Sequence, residues 1–247
     1  MKSSKNQNKT RLDKLLVEKK LTETREKAQV LIISGNIKVD GETITKPSKE
    51  VSVFSNIEVV QSLKYVSRGG LKLQNAIQNF KIDVKDKICL DIGSSTGGFT
   101  DCLLQYGAKK VYSTDVGKGL LDWKLRNNPK VVVLEGINFR YFPDELIKEE
   151  LDLITIDVSF ISLEKILPKV KEISNKDTKI LALVKPQFEV ERKFSKKGVV
   201  KDKKIQIEAV KKISNFAKEI GFEYYGFTDS GLKGPKGNIE YFIFLGF

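Results

Sequence analysis

Residues 90–100 read Leu90-Asp91-Ile92-Gly93-Ser94-Ser95-Thr96-Gly97-Gly98-Phe99-Thr100, directly after the apolar pair Ile88-Cys89. An apolar run that ends in an acid and passes through glycines into a helix-compatible segment predicts a strand, a tight turn and a helix. Glycine lets the backbone take positive φ and lets a ligand come close to the main chain. A second short run, Val111-Tyr112-Ser113-Thr114, ends at Asp115. An acidic side chain about 20 residues beyond such a turn can hydrogen-bond a ribose diol. The stretch therefore predicts a nucleoside-type cofactor at the carboxyl end of a parallel sheet.

The spacing Asp91-x-Gly93-x-x-x-Gly97-Gly98 is not the G-x-G-x-x-G of dinucleotide sites, and no Lys-Ser/Thr pair follows as in a phosphate-cradling loop. S-adenosylmethionine carries no phosphate and fits such a turn. Asp91 is expected to accept from its ammonium group and Asp115 from its ribose hydroxyls. The candidate cofactor residues are Asp91, Gly93, Ser95, Thr96, Gly97, Gly98, Phe99, Asp115 and Asn138.

Outward from this stretch, strands are predicted at 87–91, 110–114, 131–134, 152–157 and 179–184, and helices near 98–106, 118–126, 161–174 and 203–220. Pro168 leaves the ends of the third helix open. Two further strands, near 222–228 and 239–246, lie close enough in sequence to pair antiparallel. This alternation predicts an α/β fold with a twisted, mostly parallel sheet covered by helices on both faces.

Ahead of it, residues 1–9 are polar and read as a disordered basic tail. Residues 10–60 read as a separate small domain, and 61–68 as an interdomain linker to a unit spanning 69–247. In the small domain Leu12, Leu15 and Leu16 have helical spacing. Thr24 can cap a second helix with Ala28, Val30, Leu31 and Ile32 on its apolar face. Asp40-Gly41 turns a hairpin between Ile37-Lys38-Val39 and Glu42-Thr43-Ile44-Thr45. The order of Arg11 to Leu16, Thr24 to Ala28 and Ser34 to Gly41 resembles the S4 RNA-binding domain. Arg11, Lys14, Arg25, Lys27 and Lys38 are expected on one surface suited to the backbone and shape of folded RNA.

The chain has 247 residues, a net charge of +12 and 40% apolar residues. The excess of lysine and arginine suits a polyanionic partner. There are no histidines, which excludes triads, dyads and metal sites that need imidazole. Cys89 and Cys102 lack metal-ligand spacing and read as reduced core residues, as expected of a cytoplasmic protein. No apolar stretch approaches the length of a membrane span, and no metal is expected.

The group that receives a methyl is narrowed by what is missing. The loop after the fourth predicted strand reads Asp157-Val158-Ser159-Phe160, without the prolines that hold a base amine and without an aromatic directly adjacent to the acid. Neither cysteine lies at a late strand end, where a covalent attack on cytosine carbon would need it. An unactivated hydroxyl remains, and with no histidine a lysine is the base. Lys185 ends the run Ile180 to Val184, and Asp157 ends its neighbour. Lys72 and Glu240 are candidates to complete a Lys-Asp-Lys-Glu set for 2′-hydroxyl methylation.

Taken in order, Tyr65 to Leu73, Asp91 to Thr100, Thr114 to Gly117, Asp157 to Leu163, Leu183 to Glu189, Lys197 to Val200 and Gly234 to Glu240 resemble the TlyA family. That family couples an S4 domain to an FtsJ-like methyltransferase domain. The resemblance implies a Rossmann-like class I methyltransferase sheet with an antiparallel last strand. It implies S-adenosylmethionine-dependent 2′-O-methylation of cytidine in ribosomal RNA or ribosomal subunits. Lys72, Asp157, Lys185 and Glu240 would be its catalytic tetrad, and Arg68 with Gly69 would couple RNA docking to cofactor binding. The family also carries the name haemolysin A. A membrane-lytic protein, or an RNA-binding protein with an inactive methyltransferase fold, are the alternatives at this point. The oligomeric state stays open.

Overall fold

The computed structural model describes residues 8–33, 35–59, 64–195 and 197–247. The chain divides into two compact units, residues 1–63 and 64–247. In the smaller unit β1 (Lys9–Arg11) leads into α1 (Leu12–Glu18) and α2 (Arg25–Ile33), followed by β2 (Ile37–Val39), β3 (Glu42–Thr43), β4 (Glu50–Ser52) and β5 (Ile57–Val59). The Thr24 hydroxyl accepts from the Lys27 N–H at 3.2 Å and so caps α2. Leu12, Leu15 and Leu16 pack with Ala28, Ile32, Ile37, Val39, Ile44 and Val51 in one core. Val30, expected on the buried face of α2, is exposed, because Ala28 and Ile32 four residues apart define that face. The expected tail reaches less far than residue 9: Lys9 already pairs with Ser52 in an antiparallel ladder, and the Asn8 carbonyl accepts from Val53. The rest of that tail, residues 1–7, lies outside the described residues, as do 61–63 of the expected linker and residue 60 before it.

The larger unit opens with α3 (Gly69–Phe80) and alternates as β6 (Ile88–Ile92), α4 (Gly98–Gln105), β7 (Lys110–Asp115), α5 (Trp123–Arg126), β8 (Val131–Glu135), β9 (Leu153–Ile156), α6 (Leu167–Ile173), β10 (Lys179–Val184), α7 (Pro186–Glu189), α8 (Lys203–Glu219), β11 (Glu223–Asp229) and β12 (Tyr241–Gly246). The sheet order is β11-β12-β10-β9-β6-β7-β8. Strands β8 through β10 are joined in parallel register, and β12 runs antiparallel to both β10 and β11. The central strands are apolar on both faces because helices cover both. Ile180, Ala182 and Val184 belong to one core, and Leu181 and Leu183 to the other. Chain order reverses between β6 and β9, so a crevice opens at their carboxyl ends.

Two sequence expectations change here. Residues 64–68 are not a linker but part of the larger unit. Tyr65 is buried against Gly70, where a Cβ could not fit, and the Val66 N–H donates to Asp101 at 2.8 Å. The helices expected near 118–126 and 161–174 are shorter. Asp122 caps α5 only at Trp123, and Pro168 sits in the first turn of α6, where its missing N–H has no helical partner to lose.

Candidate active site

The crevice is built from four strand ends. Gly93, just past β6, has φ +82, and a Cβ there would lie 2.7 Å from the Asp157 carbonyl oxygen. Only glycine allows the two chain segments to approach so closely. Its N–H and that of Ser94 both donate to the Thr114 carbonyl. The first cavity, about 410 Å³, lies beside this turn and is lined by Gly93, Ser95, Asp115, Asn138, Arg140 and apolar walls that include Val116, Leu120 and Ile137. Asp115 accepts from the N–H groups of Ser95 and Gly117 at 2.8 and 2.7 Å, which fixes its carboxylate at the wall.

A second cavity, about 440 Å³, shares Gly93, Ser95, Asp157 and Ser159 with the first and adds Arg68, Lys72 and Lys185. Lys72 comes from the first turn of α3 and is 8% exposed; its Nζ lies 2.6 Å from Glu240 Oε2. Glu240 precedes β12 and is fully buried. Gly234 is required beside it, because a Cβ there would strike the carboxylate. Lys185 follows β10 and is also 8% exposed; its Nζ lies 2.5 Å from Asp157 Oδ1 and donates to Ser159 Oγ at 2.7 Å. A third cavity, about 230 Å³, joins Lys185 to Glu240 and is walled by Phe160, Phe188 and Gln187. Lys72, Asp157, Lys185 and Glu240 thus surround adjoining cavities as two ion pairs, Lys72–Glu240 buried and Lys185–Asp157 part-buried.

The turn residues divide. Thr96, Gly98 and Phe99 line the second cavity rather than the first. Gly97 lines neither: its φ is +94, and Leu121 and Leu125 occupy the space where a Cβ would be. Asp91 corrects the expectation placed on it. It is fully buried beneath the turn, accepting from Thr100 at 2.7 Å and Thr155 at 3.1 Å, and it lines none of the three cavities. Burial pushes its carboxyl up to about 7, and the charge of Asp157 adds to this, against the two threonine hydrogen bonds.

Among the small unit's candidate RNA contacts, Arg11 and Arg25 converge on one buried carboxylate, Asp13, at 2.8 and 2.9 Å. The Arg11 hydrogen bond is the main reason that carboxyl lies well below the usual range. Both arginines are still part-exposed. Lys14 is exposed on α1, Lys38 is half-buried on β2, and Lys27 is paired with Glu23. Arg68 belongs to the larger unit and lines the second cavity.

Three residues were missed by the sequence reading. Ser159 lines all three cavities. Phe160 is 90% exposed at φ +63 and contacts the Phe188 ring at 5.0 Å between centroids. A bulky residue at positive φ is strained and calls for a reason. Its signal in sequence was the fourth position of the post-strand loop, where an aromatic does stand. Glu135 ends β8 and accepts from the N–H groups of Gly119, Leu120 and Leu121 and from Arg126, fixing the loop that carries two walls of the first cavity.

Among the described residues, no helix is long and apolar enough to cross a membrane, and no cluster of acids or cysteines could hold a metal ion. The FtsJ-like methyltransferase family matches residues 65–247, and the S4 domain matches residues 10–57. Hemolysin A of Brachyspira hyodysenteriae is 47% identical over 238 residues, covering 94% of this chain and 97% of the relative. The 16S/23S rRNA (cytidine-2'-O)-methyltransferase TlyA of Mycobacterium tuberculosis is 42% identical, covering 95% and 89%. A solved chain from Streptococcus thermophilus with a provisional hemolysin name superposes with a TM-score of 0.76 at 40% identity, covering 97% of this chain and 88% of that one. With the match running from Tyr65 to the last residue, the chain belongs to the FtsJ-like methyltransferase family and carries an S4 domain ahead of the methyltransferase unit.

Proposed function

We propose that this protein transfers a methyl group from S-adenosylmethionine to the 2′-hydroxyl of a cytidine in ribosomal RNA. The observation that carries the reading is the buried Lys185 amine, held by Asp157 and Ser159, which shares one cavity with Lys72 and another with its partner Glu240. The cofactor fits the first cavity by the chemistry of its walls: Asp115 offers an acceptor to a ribose diol, and apolar side chains surround it. Gly93, Ser95 and Asn138 complete that wall. When bound, the cofactor supplies a methyl carbon on a sulfonium, open to attack by an oxygen lone pair.

The protein's own task is the hydroxyl proton. Lys185, as the neutral amine, takes that proton at Nζ while the ribose oxygen forms its new bond to carbon. Asp157 orients the amine and balances the ammonium that results. Lys72, neutralised by Glu240, holds a positive group in a buried position without an unpaired charge. Arg68 on the cavity wall offers a bidentate contact to the phosphate beside the target. Phe160, backed by Phe188, presents an exposed ring on which an unstacked base can lie. The cytidine and ribosomal RNA assignments lean on the named activity of the TlyA relative together with the S4 domain.

The test is methyl transfer from labelled cofactor to ribosomal RNA and to isolated subunits, followed by nuclease digestion and mass analysis of the nucleosides. Label in 2′-O-methylcytidine is expected. Label on a base, or none with either substrate, overturns the reading.

A further inference from the structure

Ser159 stands where the three cavities meet, and its hydroxyl oxygen lies 2.7 Å from Lys185 Nζ as a hydrogen-bond acceptor. Asp157 Oδ1 lies 2.5 Å from the same nitrogen. Both residues come from the segment that follows β9, and the two short distances put the side chains of 157 and 159 against the amine. Val158 between them packs against the core. The placement of this segment is further fixed from the Lys185 side. Glu189, at the end of α7, accepts from Ser162 Oγ at 2.5 Å and from the Leu163 N–H at 2.9 Å, tying the post-β9 loop to the helix that follows Lys185.

We infer that Ser159 is a positioning residue that aims the Lys185 lone pair at the substrate hydroxyl. This rests on the reading of Lys185 as the base. A neutral lysine amine has two N–H bonds and one lone pair at roughly tetrahedral directions. With no aligned acceptor the amine turns about its last carbon–nitrogen bond, and the lone pair points into the cavity for only part of the time. One N–H held on Ser159 fixes that rotation, and the Asp157 carboxylate, an ion-pair neighbour without hydrogen-bond geometry, disfavours the lone pair on its own side. When the ribose hydroxyl gives up its proton, the electron pair left on oxygen goes into the new bond to carbon. The proton takes up the amine lone pair, while Ser159 keeps its N–H contact and the Asp157 carboxylate stays beside the ammonium that forms. No reorientation is then needed in the proton transfer. The other charged groups that line the second cavity with this amine are Arg68 and Lys72, and those that line the third with it are Lys236 and Glu240.

The experiment compares the full-length protein with Ser159→Ala, Ser159→Thr and Lys185→Ala. For Ser159→Ala, kcat is expected to fall about tenfold, the worth of one hydrogen bond to a charged group, with KM for RNA within twofold of wild type. Ser159→Thr keeps the hydroxyl and is expected to recover kcat to within about threefold. A second readout needs no cofactor or RNA. In protein labelled with 13C at the lysine Cε, the Lys185 resonance, assigned from its loss in Lys185→Ala, is followed against pH. Ser159→Ala removes an acceptor of the charged form, so its titration is expected to move to lower pH. An unchanged kcat, or an unmoved titration with equal loss in the alanine and threonine variants, overturns the positioning role. Turnover retained in Lys185→Ala would instead remove the base assignment on which it stands.

Discussion

Asp91 is the residue whose behaviour departs furthest from its sequence motif. Its carboxyl is held under the turn by Thr100 and Thr155, and burial pushes it up to about 7. The folded protein therefore binds this proton over a range where the unfolded chain has lost it. Stability from this group is full below the ordinary aspartate range and declines as pH rises from about 4 to about 7. Asp91→Asn keeps the shape and removes the titration. Wild type is expected to lose about 2–4 kcal/mol relative to the variant between pH 4 and pH 7.5, an upper range for a group so buried. Denaturant unfolding of both proteins at the two pH values checks it; parallel curves would show that Asp91 is ionised throughout. The position of Asp91 at the end of an apolar run was legible, since strand ends are marked by where the run stops. That it points down was not, because the threonines that claim it stand 9 and 64 residues away.

Loops between elements set the cavity walls, and two of them hang on one residue each. Glu135 serves the loop that follows β7. Burial alone would raise its carboxyl, but Arg126 and the backbone N–H groups of Leu121 and Gly119 outweigh burial and bring it down to about 2. Its contribution is complete above the ordinary glutamate range and is lost as pH falls toward 2. Glu135→Ala leaves three N–H groups without their acceptor and is expected to weaken cofactor binding about tenfold. Calorimetry with S-adenosylhomocysteine measures this, and an unchanged affinity would show that the loop does not shape the site. Gly93 serves the loop that follows β6. Gly93→Ala meets both a positive φ and the Asp157 carbonyl, and is expected to cost about 2 kcal/mol or more in denaturant unfolding. The existence of these turns was readable from their glycines. The helices at 118–126 and 161–174 were overestimated because periodicity does not register a capping aspartate or a 3-10 turn at Leu163–Lys165.

The two units have separate cores, and the boundary between them has a sharp consequence. A fragment beginning at Lys64 keeps Tyr65 in the core and the Val66 N–H on Asp101; one beginning at Gly69 loses both. The longer fragment is expected to fold and bind cofactor, with RNA affinity well below that of the full chain and falling with added salt. The shorter fragment is expected to melt at least 5 °C lower, a step of about 1–2 kcal/mol for a unit this size. Thermal melts and RNA binding at two salt concentrations check both, and equal melting would place Tyr65 outside the cooperative unit. The alternation of apolar runs with helical segments, the glycine turn, the basic small domain and the absence of histidine were all written in the chain, because strand and helix periods and residue chemistry are local properties. The pairing of Lys72 with Glu240 across 168 residues, the Ser159 acceptor on Lys185 and the burial of Asp91 were decided only by the folded sheet. Strand order determines which loop ends meet, and no local pattern encodes the distance between them.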